Sequence, residues 1–176
     1  MANKKIALDL DGVIADISYG IDLALEKRGI EDYDYSGWLI TYHECNLSDS
    51  IMNNSLFWKN LKPLSDAWYQ VNTWFSEGYD VYIVTARRTK YSIEITEDWL
   101  NSWRINTMQP IFCNMGEKHK VIEEINPLFM VEDNPNEVMT LREAGVNAFL
   151  RRAWYNRPYW EKLPSIGNLL EMKIDD

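Results

Sequence analysis

The chain is poor in the residues that build disulfides, zinc clusters and polyanion-binding surfaces. It has two cysteines and two histidines in 176 residues. Cys45 and Cys113 lie far apart, so a disulfide framework is not expected, and both thiols are read as free in a reducing, cytoplasmic setting. A zinc site would have to gather His43, Cys45, Cys113 and His119 from scattered positions, which is weak spacing for a tetrahedral centre. Positive charge is also short: 18 Lys and Arg stand against 27 Asp and Glu, a net charge of −9. A nucleic acid polymer is held mainly through Lys and Arg on its phosphates, so this balance argues against one. A small phosphorylated ligand in a local basic pocket stays compatible with it. No long hydrophobic run is present, so neither a signal peptide nor a membrane-spanning segment is read. There is no internal repeat and no low-complexity tract.

What is present is a 46% hydrophobic chain of single-domain length, enough for a substantial core. Residues 4–10 read as a buried strand. Helical spacing follows over about 17–28, with Glu26, Lys27 and Arg28 before Gly29. Residues 30–62 are irregular in pattern and rich in Tyr, Trp and Asn. A helix begins near Pro63-Leu64-Ser65-Asp66 and carries Ala67, Trp68, Val71, Trp74 and Phe75 as a core stripe up to Gly78. Strands are expected at 80–85, 109–113, 128–131 and 146–150. They alternate with helices at about 90–103 (Ile93, Ile95, Thr96, Trp99, Leu100, Trp103), 117–125 and 136–143. The tail from 158 to 172 reads as a helix or an irregular wrap. Short, continuously apolar strands alternating with helices imply an α/β fold, a mainly parallel sheet covered on both faces. Such sheets bind ligands beyond the carboxyl ends of their strands.

Polar residues collect at those ends. Asp9 and Asp11 interrupt the first apolar run just before Gly12, Thr85 closes the second strand, and Glu132-Asp133 follow the fourth. Lys118 opens the helix after the third. Buried carboxylates are costly without compensation. Three together repel unless a cation joins them, and hard oxygen ligands suit Mg²⁺ with a phosphate nearby. One aspartate can attack phosphorus, and a second can protonate the leaving oxygen and then activate water. Thr85 can donate to a phosphoryl oxygen, Lys118 can neutralise it, and Gly12 lets the backbone turn sharply. Taken singly, each has an ordinary reading: turn acids for Asp9 and Asp11, a strand-end hydroxyl, a solvated lysine, a helix cap at Asp133. Their joint placement separates the readings.

D-L-D-G-V (9–13), V-T-A-R (84–87), G-E-K-H-K (116–120) and F-M-V-E-D-N-P-N-E (129–137) resemble, in order and context, the four motifs of the haloacid dehalogenase superfamily of phosphotransferases. The resemblance spans residues 4 to 151. It implies a Rossmann-like three-layer sandwich with a small helical cap inserted after the first strand. The core would comprise 1–15 and 65–176, and the cap 16–64. It implies Asp9 as nucleophile and Mg²⁺ ligand, and Asp11 as general acid/base offering its backbone carbonyl to the metal. Thr85, Ala86 and Lys118 would bind phosphate, and Asp133 would complete the metal site. The fourth motif reads Glu-Asp rather than the common paired aspartates, leaving Glu132 or Glu137 to act through water. Lys120 is the alternative to Lys118, which is favoured because Val121, Ile122 and Ile125 then follow at helical spacing.

A second layer is similar to the 5'(3')-deoxyribonucleotidases: F-W-K-N-L-K-P-L-S-D-A (57–67), like their return from cap to core, and R-R-A-W-Y-N-R (151–157), like their ending after the last strand. It implies a nucleoside monophosphate substrate whose base stacks on cap aromatics, drawn from Tyr35, Trp38, Tyr42, Phe57 and Trp58, with Phe57 and Trp58 favoured. Each of these is otherwise simply cap core. Arg87 either reads the phosphate or sugar or is a surface guanidinium. The function so expected is Mg²⁺-dependent hydrolysis of a phosphomonoester, with a homodimer compatible. A sugar phosphate substrate and a catalytically silent binding protein on the same fold are the alternatives. Asp11 points to phosphate chemistry, since dehalogenation does not need it in that role.

Overall fold

The computed structural model describes residues 4–27, 29, 54–87 and 92–174. Tyr35, Trp38, Tyr42, His43 and Cys45 lie outside them. Six strands form one sheet: β1 (Lys5–Leu8), β2 (Asp80–Thr85), β3 (Ile111–Phe112), β4 (Met130–Glu132), β5 (Ala148–Arg151) and β6 (Ser165–Ile166). Their order is β3-β2-β1-β4-β5-β6 and every pairing is parallel. The helices are α1 (Ile17–Glu26), α2 (Ser55–Asn60), α3 (Ser65–Ser76), α4 (Ser92–Trp103), α5 (Lys118–Ile125) and α6 (Pro135–Glu143), with 3₁₀ turns at Trp154–Tyr159 and Leu169–Glu171.

Strand alternation builds the layers. Ile6 and Leu8 of β1 face one side and share a buried cluster with Val71 and Trp74 of α3, Ile95 and Trp99 of α4, and Ile17 and Ile21 of α1. Ala7 faces the other side, with Ile122 and Ile125 of α5 and Val138 and Leu141 of α6. The α/β architecture read from the sequence is therefore present as a three-layer sandwich. Trp58 and Leu61, at the end of the irregular stretch, belong to the first of these clusters. Among the described residues no helix is long and apolar enough to cross a membrane.

Several local expectations shift. The α3 stripe is narrower than its aromatic content implied: Ala67, Val71 and Trp74 are buried, whereas Trp68 and Phe75 are exposed. Trp68 instead donates its indole N–H to the Trp103 carbonyl at 2.7 Å. Ile93 and Trp103 of α4 are exposed too. Apolar identity marked these positions, but only one stripe of each helix meets the sheet. β4 starts two residues later than expected and runs to Glu132. The tail contributes β6, a strand too short to show any alternation; it pairs Leu150 with Ser165 and Arg151 with Ile166.

Chain direction reverses its winding at β1. From β1 the chain moves outward to β2 and β3, then returns to β4 on the other side of β1. The crevice at such a switch is where α/β sheets place ligands. Register aligns the ends there, because Leu8 pairs with both Ile83 and Val131. Asp9 then donates its backbone N–H to Val131 at 2.9 Å.

Away from the crevice, Arg151 forks Asp66 at 2.6 and 2.9 Å, and Leu169 donates its N–H to the same carboxylate at 2.8 Å. This ties α3, β5 and the tail together. Burial acts to raise the Asp66 carboxyl, but the Arg151 and Leu169 hydrogen bonds outweigh it and hold the group below its ordinary 3.8. The stabilisation is full above that value and fades as pH falls through the lowered one. Asp66→Asn is expected to lower unfolding free energy by about 2 kcal/mol at neutral pH. The gap from wild type should shrink in urea titrations carried below about pH 4.

Candidate active site

The carboxyl edge of β1 and β4 brings four charged side chains into contact. Asp9 follows β1, Glu132 ends β4, Asp133 follows it, and Lys118 is the first residue of α5; all are buried. Lys118 Nζ lies 2.5 Å from Asp9 Oδ1 and 2.5 Å from Glu132 Oε2. The other oxygen of Glu132 accepts the backbone N–H groups of Asp133 and Asn134 at 3.1 and 3.0 Å. Glu132 thus orients the lysine and the turn that carries Asp133. Lys120 is exposed and pairs with Glu117 at 2.9 Å, so the geometry selects Lys118 for the crevice.

Asp133 is fixed from the chain that follows β5. Tyr155 donates its hydroxyl to Asp133 Oδ2. Asn156 Nδ2 donates to the carbonyls of Asp133 and Arg151, each at 2.8 Å. Asn156 Oδ1 accepts from the Ala153 N–H at 2.9 Å and from the Trp160 indole at 2.7 Å. The sequence reading noted Trp-Tyr-Asn only as a resemblance and gave these residues no role; their contact with Asp133 comes from β5 lying beside β4. Gly12 has φ +82°, and a Cβ there would collide with the Asp133 carboxylate and the Tyr155 hydroxyl. Glycine is therefore required both by the backbone and by the close approach.

The electrostatics follow from burial. Asp9 is pushed up to about 8, first by desolvation and then by the Glu132 charge, with Lys118 pulling the other way. Asp133 is raised well above its ordinary value by burial and by the charges of Glu132 and Asp9, while the Tyr155 hydrogen bond acts against the rise. Burial acts to lower the Lys118 ammonium, but Asp9 and Glu132 outweigh it and hold the proton firmly. Cys113, beside this cluster, is pushed up to about 11 by burial, which keeps it a thiol.

One carboxylate oxygen each from Asp9, Glu132 and Asp133 lies within 4.8 Å of the others. Three acids against one ammonium leave negative charge that burial makes expensive. The donors are all hard oxygens, a set that fits Mg²⁺. Glu132 has both oxygens committed, whereas Glu137 is buried, accepts the Gly116 N–H through Oε1, and among the described residues has no partner for Oε2. Between the two acids left open by the sequence, Glu137 is the one with a free oxygen.

The remaining expected residues fall on the far side of the crevice. Thr85 is buried at the end of β2, and its hydroxyl oxygen accepts the Arg87 N–H at 3.1 Å. Ala86 is the next residue in the chain. Arg87 is neither a surface cation nor turned toward open space: its guanidinium forks Asp11 at 3.0 and 2.5 Å. Trp58, favoured from the sequence as a stacking platform, is enclosed at the end of the irregular stretch. It is 2% exposed, and Arg87 lies 4.6 Å from its ring centroid. Phe57 packs edge-on against Trp58 at 5.0 Å. The helix approaching the sheet buries Trp58 and half-buries Phe57 as the chain returns to the core at Leu61.

The fold, with acids, a hydroxyl and a lysine at the carboxyl edge of its sheet, is similar to that of haloacid dehalogenase-type hydrolases of known structure. No family model matches the chain. It is similar to a nucleotidase of Clostridium acetobutylicum, at 28% identity over 168 residues, 89% of this chain and 84% of that one. It is also similar to a Staphylococcus epidermidis protein whose name carries a provisional assignment as a 5'(3')-deoxyribonucleotidase, at 26% identity over 78% of each chain. Among solved structures, a Bacillus subtilis haloacid dehalogenase-type hydrolase bound to magnesium superposes with a TM-score of 0.61 at 14% identity, covering 97% of both chains. The fold that the motif resemblance implies is the one this chain shares with that structure.

Tyr155→Phe removes only the hydroxyl that holds Asp133. Ligand-orienting partners of this kind are worth about 10- to 100-fold in metal affinity. Isothermal titration with Mg²⁺ is expected to show weakening in that range, with thermal unfolding of the metal-free protein changed much less.

Proposed function

We propose that the chain is a Mg²⁺-dependent phosphomonoesterase that dephosphorylates nucleoside monophosphates, 5'(3')-deoxyribonucleotides foremost, through an aspartyl-phosphate on Asp9. The observation that carries this reading is the Lys118 ammonium held on Asp9 beside Asp133 at the sheet's switch point. The nucleotide preference draws on the names of the two relatives. In this reading residues 1–15 and 65–176 form the core and 16–64 a small helical cap over the crevice.

Asp9, Asp133 and the Asp11 carbonyl would hold Mg²⁺, with Glu137 acting through a water. Bound there, the ion supplies positive charge that lets a phosphate dianion approach ionised carboxylates. Lys118, the Thr85 hydroxyl and the Ala86 N–H would hold the phosphoryl oxygens. An Asp9 oxygen forms a bond to phosphorus as the ester bond to the leaving oxygen breaks, and Asp11 supplies that oxygen's proton. Asp11 then takes a proton from water, whose oxygen attacks phosphorus and frees Asp9. Ester and water thus become alcohol and phosphate, with Asp11 protonated again.

The test is phosphate release from a panel of deoxyribo- and ribonucleoside monophosphates and sugar phosphates, with Mg²⁺ or chelator, beside Asp9→Asn. The expected outcome is Mg²⁺-dependent release favouring deoxynucleotides, lowered at least about 10³-fold in the variant. Preference for sugar phosphates would keep the chemistry and remove the nucleotide assignment. Folded, Mg²⁺-binding protein that releases nothing would favour the silent binding protein.

A further inference from the structure

We infer that Arg87 is a positioning residue for Asp11, setting where that carboxylate can exchange a proton with the substrate's leaving oxygen. The inference rests on the phosphomonoesterase reading and adds a residue to it. Arg87 Nε donates to Asp11 Oδ2 at 3.0 Å and Nη2 lies 2.5 Å from Asp11 Oδ1. Its remaining terminal nitrogen, Nη1, donates to the Thr96 hydroxyl at 3.2 Å. One face of the guanidinium lies over Trp58 at 4.6 Å. Even its backbone is tied, by the N–H donated to Thr85. The Arg87 side chain has no exposed surface, whereas that of Asp11 is 17% exposed.

This arrangement leaves Arg87 little to offer a substrate directly. Three of the five guanidinium N–H donors go to Asp11 and Thr96, and the side chain has no exposed surface. What it presents is the carboxylate it holds. A fork takes one lone pair on each Asp11 oxygen and leaves another on each. The free lone pairs lie away from Arg87, and Asp11 keeps part of its surface open. A proton carried by Asp11 therefore sits on a side that the fork fixes. Thr96 and Trp58 stop the guanidinium from following a different carboxylate position. Asp11 is not on a regular strand: the turn Leu10–Ala15 closes through Ile14 and Ala15 N–H groups on the Leu10 carbonyl at 2.9 and 2.8 Å. The backbone thus sets where Asp11 starts, and Arg87 sets where its carboxylate ends.

The experiment separates positioning of a proton donor from phosphate binding and from general structural damage. Steady-state parameters and the single-turnover rate of the first step, release of the alcohol or phenol, are measured on a deoxynucleoside monophosphate, whose alkoxide needs a proton to leave, and on p-nitrophenyl phosphate, whose phenolate leaves without one; the later attack of water on Asp9 is common to both esters. Arg87→Gln, Thr96→Val and Asp11→Asn are compared with wild type. Arg87→Gln is expected to lower the first-step rate on the nucleotide about 100-fold and that on the aryl ester by less than about tenfold, the same signature as Asp11→Asn. Thr96→Val, which leaves the fork in place, should show the same bias at about tenfold. Arg87→Lys should not restore the nucleotide rate, because an ammonium cannot fork a carboxylate. Equal losses on both esters, a raised KM at unchanged kcat, or rescue by lysine would overturn the inference. If Asp11→Asn shows the leaving-group bias and Arg87→Gln does not, the positioning role fails while the phosphomonoesterase reading stands. If wild type hydrolyses neither ester, both fail.

Discussion

Asp9, Glu132 and Asp133 share a buried space with one ammonium, and much of the local structure answers that imbalance. Lys118 is drawn into contact with two of the acids. Glu132 spends its other oxygen on two backbone N–H groups. Asp133 takes the Tyr155 hydroxyl and hangs from Asn156 by its carbonyl. These contacts spread the charge but leave Asp9 and Asp133 raised above their ordinary values. Buried acids that still lack sufficient positive charge are a burden that a bound cation would relieve.

A second ion pair stands across the crevice and has a different character. Arg87 and Asp11 balance each other one to one, with the cation enclosed and the carboxylate partly exposed. The first cluster is left electrostatically incomplete, while this pair is complete and held in one orientation by Thr96 and Trp58. The two aspartates that interrupt a single apolar run therefore have separate environments. Asp9 is buried against acids and a lysine, whereas Asp11 is buried only in part and faces an arginine. Environments that differ in this way let neighbouring carboxylates take different chemical parts.

Much of the architecture was readable because it depends on local pattern. β2 appears at 80–85 as expected, and α5 begins within a residue of its expected start. The errors have physical causes. Trp68 and Phe75 count as core by residue type, yet helix orientation on the sheet leaves them exposed. β6 is two residues long and gains its identity only by pairing with β5. Arg87 and Trp58 were weighed one at a time, as substrate contact or as ordinary surface and core. Their stack on each other is a relation between distant segments that neither residue announces.

By itself the sequence determined which chemistry was available and at which strand ends it would stand. A charged residue in an apolar strand, a hydroxyl at a strand terminus and a glycine beside two acids are conspicuous wherever they occur. Only the tertiary structure decided the partners. Lys118 meets Asp9 across 109 residues, Arg87 meets Asp11 across 76, and Tyr155 meets Asp133 across 22. Those meetings depend on β1 lying between β2 and β4, on Leu8 being in register with both Ile83 and Val131, and on β5 flanking β4. Strand order and register are properties of the packed sheet as a whole, so no single stretch of chain contains them.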